Sequence, residues 1–256
     1  MLRSDDGPVV VRILTCADSL SARLTSAHRQ LENAAEHHRI EVVEGFVPGD
    51  VGLDALYDAD RNRRAMNRPL AAREIAVYGT HRKAWTAIRD GSAPAGLVLE
   101  DDFAVVNATA FADALRQAGD LTRGCDIVKL FDFQKAGTNR VVARRIVGGI
   151  ALVRWRYPTA GAVAYLMTRR GAAKLLGRER VYRPVDEDMK YFWELDLDVW
   201  SVVPSPVAEG SASLGGSLID ADRRAAKSRA IGDRLRGNLI RLHWKLNCRW
   251  RNARPA

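Results

Sequence analysis

The run Leu97-Val98-Leu99 closes on Glu100-Asp101-Asp102 before Phe103-Ala104-Val105-Val106 turns apolar again, and this junction constrains the fold more than any other stretch of the chain. Entered from the loop Gly91-Ser92-Ala93-Pro94-Ala95-Gly96, so short an apolar run reads as a buried strand and not as a helix segment. Side chains alternate along a strand, so Glu100 and Asp102 are expected on one face and Asp101 on the other. Adjacent carboxylates repel by roughly 1 kcal/mol per pair or more unless water screens them. No Lys or Arg stands beside them in sequence. A divalent cation with oxygen ligands, shared with a phosphate-bearing substrate, relieves that repulsion. A solvated acidic turn at a strand end is the simpler alternative.

The flanking pattern is that of an α/β protein. Val9 to Leu14 reads as a first strand, followed by a helix that Asp18 or Ser19 can cap and in which Leu20, Leu24, Ala27, Leu31 and Ala34 recur at helical spacing. Strand character resumes from Arg39 to Phe46, a βαβ opening that implies a parallel sheet. Residues 48–69 are polar and lack a sustained period, as in a long surface loop that is partly helical. Residues 71–89 form a helix with Val77, His81, Trp85 and Ile88 on one stripe. Further on, Phe111 to Ala118 and Arg170 to Leu176 read as helices, and Asp126 to Phe131, two runs broken by Gly148-Gly149, and Ala162 to Met167 as strands. The segment Leu197 to Val203 alternates like an edge strand stopped by Pro204 and Pro206.

At 256 residues, 47% hydrophobic and 28% charged, the chain can bury one full core. Residues 1–208 are expected to form the main domain, 209–222 a Gly- and Ser-rich linker, and 223–256 a basic tail. From Arg223 to Arg254 eleven Lys or Arg face one acid, so the net charge of +9 sits almost wholly in the tail. Ile231, Leu235, Leu239, Leu242, Leu246 and Trp250 trace an amphipathic helix there. It either packs on the body or lies on an anionic lipid surface, with Trp244 and Trp250 at head-group depth. Cys16, Cys125 and Cys248 are far apart and without CxxC spacing, which argues for buried thiols and against a zinc site. No secretion signal or bilayer-long apolar run is visible, so a cytoplasmic protein, peripheral on the inner membrane face through its tail, is expected.

The stretch Arg73-Glu74-Ile75-Ala76-Val77-Tyr78-Gly79-Thr80-His81-Arg82-Lys83-Ala84-Trp85, followed by Gly96 to Asp102, resembles glycosyltransferase family 25, the lipopolysaccharide and collagen galactosyltransferase family. Asp126 to Leu130, Thr159 to Ala172, Pro184-Val185-Asp186 and Val203-Pro204-Ser205-Pro206-Val207 are similar to further blocks of that family in the same order, over residues 71–208. The chain departs from the family pattern at its first strand, where Ile13-Leu14-Thr15-Cys16 stands in place of Ile-Asn-Leu, and at Gly79-Thr80-His81, where Ser before His is usual.

The resemblance implies a GT-A-like single domain, a mixed, mainly parallel nucleotide-binding sheet flanked by helices, with the basic helix appended. It implies transfer of a hexose, galactose from UDP-galactose, onto a glycan or glycolipid acceptor as in lipopolysaccharide assembly. Mn²⁺ or Mg²⁺ would bridge the departing diphosphate, with Asp102 the direct ligand and Glu100 orienting ribose or a metal-bound water. Donor-binding candidates are Glu100, His81, Thr15 and Lys129; a core histidine on its stripe is the alternative for His81, and Lys129, Arg169 and Arg170 are cations that could reach a diphosphate, with solvated side chains the alternative. The acceptor base is Asp186 or, alternatively, Asp188, although a charged helix start explains Asp186-Glu187-Asp188 about as well. Sugar-nucleotide synthesis is disfavoured, since Thr15-Cys16-Ala17-Asp18-Ser19 holds no Gly-rich phosphate loop. A basic-tailed membrane or RNA-binding module is the non-enzymatic alternative, with nucleic acid the weaker partner because Trp244 and Trp250 fit lipid as well.

Overall fold

The computed structural model describes residues 9–32, 34–35, 37–133, 140–216 and 231–252. Its chain opens as strand β1 (Val10–Thr15), helix α1 (Ser21–Leu31) and strand β2 (Arg39–Glu44). Two short helices follow, α2 (Leu53–Leu56) and α3 (Ala59–Ala65), which resolve the polar stretch read as a partly helical loop. Helix α4 (Ala72–Asp90) then leads to β3 (Ala95–Glu100) and a turn into β4 (Phe103–Val105). Glu74 reaches back to accept the Ala71 N–H at 3.0 Å, satisfying one of the donors a helix start leaves open. Neither Asp18 nor Ser19 caps α1, whose N-cap position is taken by Leu20; Asp18 pairs with Arg73 at 2.8 Å and the Ser19 hydroxyl turns to Asp101.

The remaining elements are α5 (Ala108–Arg116), α6 (Ala118–Thr122), β5 (Ile127–Lys129), the hairpin β6 (Val141–Val147) and β7 (Ile150–Trp155), β8 (Ala164–Thr168), α7 (Arg169–Leu176), α8 (Val185–Lys190), β9 (Val199–Val202), β10 (Val207–Glu209) and the C-terminal helix α9 (Ile231–Asn252). Eight strands form one sheet in the order β2-β1-β3-β8-β5-β9-β7-β6, and β10 pairs with β4 in a separate ladder. The sheet is parallel from β2 through β3, as the βαβ opening predicts. It is less parallel overall than expected, because β8 runs antiparallel between β3 and β5, and the β6–β7 hairpin joins antiparallel to β9. The segment read as an edge strand is interior: β9 lies between β5 and β7 with all four residues buried. Its proline stop reflects the turn after it, not an open edge.

Two cores cover the two sheet faces. Val11, Ile13, Leu97 and Leu99 pack with α1 and α5 through Ala27, Leu31, Phe111 and Leu115. Leu14, Val98, Tyr165 and Met167 pack on the other face with α4 and α7 through Tyr78, Trp85, Ile88 and Leu175. The chain leaves β1 toward β2 under α1 and crosses to β3 under α4, so β1 and β3 flank a reversal of winding direction. In an open α/β sheet the crevice at the carboxyl ends of such strands is where ligands bind.

Candidate functional site

Thr15 ends β1 and Glu100 ends β3, so both sit at that crevice by the register that pairs Leu14 with Glu100. A cavity of about 160 Å³ opens there, lined by Thr15, Arg23, His81, all three carboxylates of residues 100–102, Asp186 and Glu209, among others. Glu209 arrives through the β4–β10 ladder, opposite Phe103. Antiparallel pairing of residues so far apart left no mark near the acidic motif in sequence.

Strand geometry stops at Glu100, and the next two residues form a turn, so side-chain alternation does not carry through the motif. Asp101, expected to face away, turns into the same crevice. There it accepts hydrogen bonds from the Thr15 hydroxyl at 2.7 Å and the Ser19 hydroxyl, and Arg23 Nη1 lies 3.3 Å from its Oδ1. Arg23 Nη1 also lies 3.3 Å from Asp102 Oδ2. The cation missing beside the motif in sequence is therefore supplied by α1, and Arg23 further ties down the carbonyls of Leu214 and Gly216. One signal pointed to it. Arg23 stands four and eight residues before Ala27 and Leu31, on the buried face of α1.

Asp102 is left incompletely satisfied: its Oδ1 is buried and has no hydrogen-bond partner among the described residues. Burial first, then the neighbouring Glu100 carboxylate, push its pKa up to about 7, against the downward pull of Arg23. Glu100 is held by a chain of buried groups. Trp85 Nε1 donates to the Tyr165 hydroxyl at 2.7 Å, Tyr165 lies 2.8 Å from His81 Nδ1, and His81 Nε2 lies 3.2 Å from Glu100 Oε1. An ionised carboxylate only accepts, so the neutral His81 tautomer that bonds Glu100 leaves Nδ1 to accept the Tyr165 proton, while the Tyr165 oxygen accepts from the indole. His81 then carries its own proton on Nε2, toward Glu100. His81 is thus both a core histidine, fully buried, and a lining residue that orients Glu100.

Three sequence assignments change. Lys129 is buried and spends its ammonium on Asp132 Oδ1 and the carbonyls of Thr159 and Ala160, so it is no donor-binding cation. Asp188 has no exposed surface; Tyr78 donates to its Oδ2 at 2.6 Å, Arg178 pairs with it at 2.7 Å and Arg183 approaches its Oδ1 to 3.9 Å. An acceptor hydroxyl cannot reach it. Asp186 is half-buried, lines the cavity and accepts the Glu187 N–H at 2.9 Å. Arg169 and Arg170 follow Thr168, which pairs with Ala95 at the far end of β3, roughly 17 Å of strand from Glu100. Of the thiols, Cys125 and Cys248 are buried and Cys16 is half-buried, and none is in a disulfide.

Glu100 and Asp102 are the residues that could hold a divalent cation, Mn²⁺ or Mg²⁺. No group of three or more His, Cys, Asp or Glu among the described residues is arranged to hold a metal by itself. The orphaned Asp102 oxygen beside Glu100 instead offers the one or two carboxylates with which Mg²⁺ is held alongside substrate phosphates. Gly161 forms part of the wall with φ of +106°, and a Cβ there would come within 2.8 Å of the Phe131 ring, so both conformation and space call for glycine. No model of a known protein family matches this chain, and no curated protein matches it.

Proposed function

We propose that this protein is a metal-dependent glycosyltransferase that moves a hexose from a nucleotide diphosphate sugar, UDP-galactose by the family resemblance, onto a glycan acceptor that is lipid-linked. The observation that carries this reading is the orphaned Asp102 oxygen beside Glu100, at the carboxyl ends of β1 and β3, with Asp186 on the wall of the same cavity. Asp102 and Glu100 would hold a divalent cation, whose positive charge would offset the charge of a departing diphosphate.

The chain's own residues do the rest. Arg23 offsets Asp101 and Asp102, which keeps the acidic turn folded before any ligand arrives. His81, steadied by Tyr165 and Trp85, fixes one oxygen of Glu100 and leaves the other for the ligand. Asp186 accepts the proton of the acceptor hydroxyl as that oxygen attacks the anomeric carbon and the bond to the diphosphate breaks. At about 160 Å³ the cavity is smaller than the roughly 300–1,000 Å³ of pockets that enclose a whole drug-sized ligand, so it suits the reacting end of the donor. A groove of about 820 Å³ between α9 and the body shares Phe133 with this cavity, and its aromatic walls, Tyr157 and Trp244, suit the stacking of an acceptor sugar.

Incubation of the full chain with UDP-sugars and Mn²⁺ tests the proposal. We expect UDP release that a chelator abolishes, and a loss of about 10²–10⁴-fold in turnover for Asp186→Asn with donor binding retained. Absence of metal-dependent binding or turnover with every UDP-sugar would contradict it.

A further inference from the structure

We infer that the outward face of α9 seats this protein on an anionic lipid bilayer, an inference that stands apart from the transferase reading. The helix divides into two faces. Inward, Trp244 Nε1 donates to the Lys190 carbonyl at 3.2 Å and its ring lies 5.4 Å from that of Tyr157. Cys248 is fully buried, and Asn252 donates to the carbonyls of Trp155 and Arg156. Trp244 therefore fastens the helix to the body and does not stand at head-group depth.

The other face is turned to solvent. Leu235, Leu239, Leu242, Leu246 and Trp250 are between 53% and 66% exposed. At about 100° per residue they fall within about 80° of one another around the helix, a continuous apolar stripe. Lys245 and Arg249 border it on one side and Arg236 and His243 on the other, as the same spacing requires. Residues 235–252 contain five Lys or Arg and no acid.

That charge selects the occupant. A second copy of the helix would set like charge against like charge, whereas an anionic bilayer takes the leucines below its head groups and the flanking cations at them. Trp250, at the end of the stripe, has the amphipathic ring suited to that boundary. Among the described residues no helix is long and apolar enough to cross a membrane, so the contact lies in the interfacial plane.

Co-sedimentation of the full chain with vesicles tests the inference. We expect binding to phosphatidylcholine–phosphatidylglycerol vesicles and little to phosphatidylcholine alone. Leu239→Glu combined with Leu246→Glu should lower binding at least about tenfold, and Arg236→Gln combined with Lys245→Gln about fivefold for each charge removed. These side chains are exposed or half-buried, and an unchanged thermal melt confirms that each variant folds. Absent wild-type binding, or equal binding by the leucine variant, overturns the inference. So does a concentration-dependent dimer that the leucine variant abolishes without any vesicle binding, or RNA binding that depends on the same cations while vesicles are ignored.

Discussion

Two runs of three consecutive acids, Glu100-Asp101-Asp102 and Asp186-Glu187-Asp188, look interchangeable in sequence and end in opposite situations. Both contain a buried aspartate with a raised pKa. For Asp102 burial acts first and the Glu100 charge adds to it, bringing it to about 7 with a single arginine in opposition. For Asp188 burial again acts first, but Arg178, the Tyr78 hydrogen bond and Arg183 pull back, and it stands at about 6. Each aspartate keeps one oxygen without a hydrogen-bond partner among the described residues, but that of Asp102 belongs to a cavity-lining residue with one arginine nearby, whereas that of Asp188 faces Arg183 at 3.9 Å. The second is sealed among arginines and a tyrosine. Sharing an acidic run therefore says little; the elements that arrive from elsewhere in the chain decide which carboxylate is offered to a ligand.

The largest effect that could break this contrast is on stability. Removing Asp188 by Asp188→Ala leaves Arg178 and Arg183 with less countercharge in a buried site, and we expect a loss of about 3–5 kcal/mol in chemical denaturation. Asp102→Asn should cost about 1 kcal/mol or less, the worth of one hydrogen bond, because Arg23 keeps Asp101. Equal losses for the two would erase the distinction.

A smaller effect sharpens it from the side of Glu100. Tyr165→Phe strands the Trp85 N–H and His81 Nδ1, for an expected cost of about 1–3 kcal/mol. It should also weaken Mn²⁺ binding by about tenfold, as loss of an outer partner of a metal ligand does. Unchanged Mn²⁺ affinity in a folded Tyr165→Phe protein would separate that relay from the site.

The smallest effect is on pH dependence around the sealed cluster. Burial raises the pKa of Glu194, but the Arg183 hydrogen bond and charge, with Tyr182 and Arg178, outweigh it and hold the carboxyl down at about 2. A depressed folded-state pKa contributes stability that is complete above the ordinary value of 4.5 and is lost as pH falls through about 2. Glu194→Gln should therefore lower stability at neutral pH and narrow its gap to the wild type as pH drops across that window, read from melting temperatures. A gap constant with pH would contradict the assignment.

What the sequence made legible follows from which signals are local. The strand β3, the helix α4 and the βαβ opening are periodic over their own length, so their residues announce them. The acidic end of β3 stood out for the same reason, being an abrupt change within one strand. Strand order is not local, and β9 was mistaken for an edge because its neighbours β5 and β7 cannot be read from its own seven-residue alternation. Arg23 and Glu209 reach the crevice from α1 and β10, and Tyr165 on β8 acts on it through His81, so only the fold brings them together. The choice between Asp186 and Asp188 was open in sequence, yet two residues on a helix lie about 200° apart and cannot share one wall.

The most direct test is a calorimetric titration of Mn²⁺ together with UDP into the wild type, Asp102→Asn and Asp186→Asn. We predict binding in the wild type and in Asp186→Asn and its loss in Asp102→Asn, with all three proteins folded. Undiminished binding by Asp102→Asn would contradict the assignment of the cation and diphosphate to the end of β3.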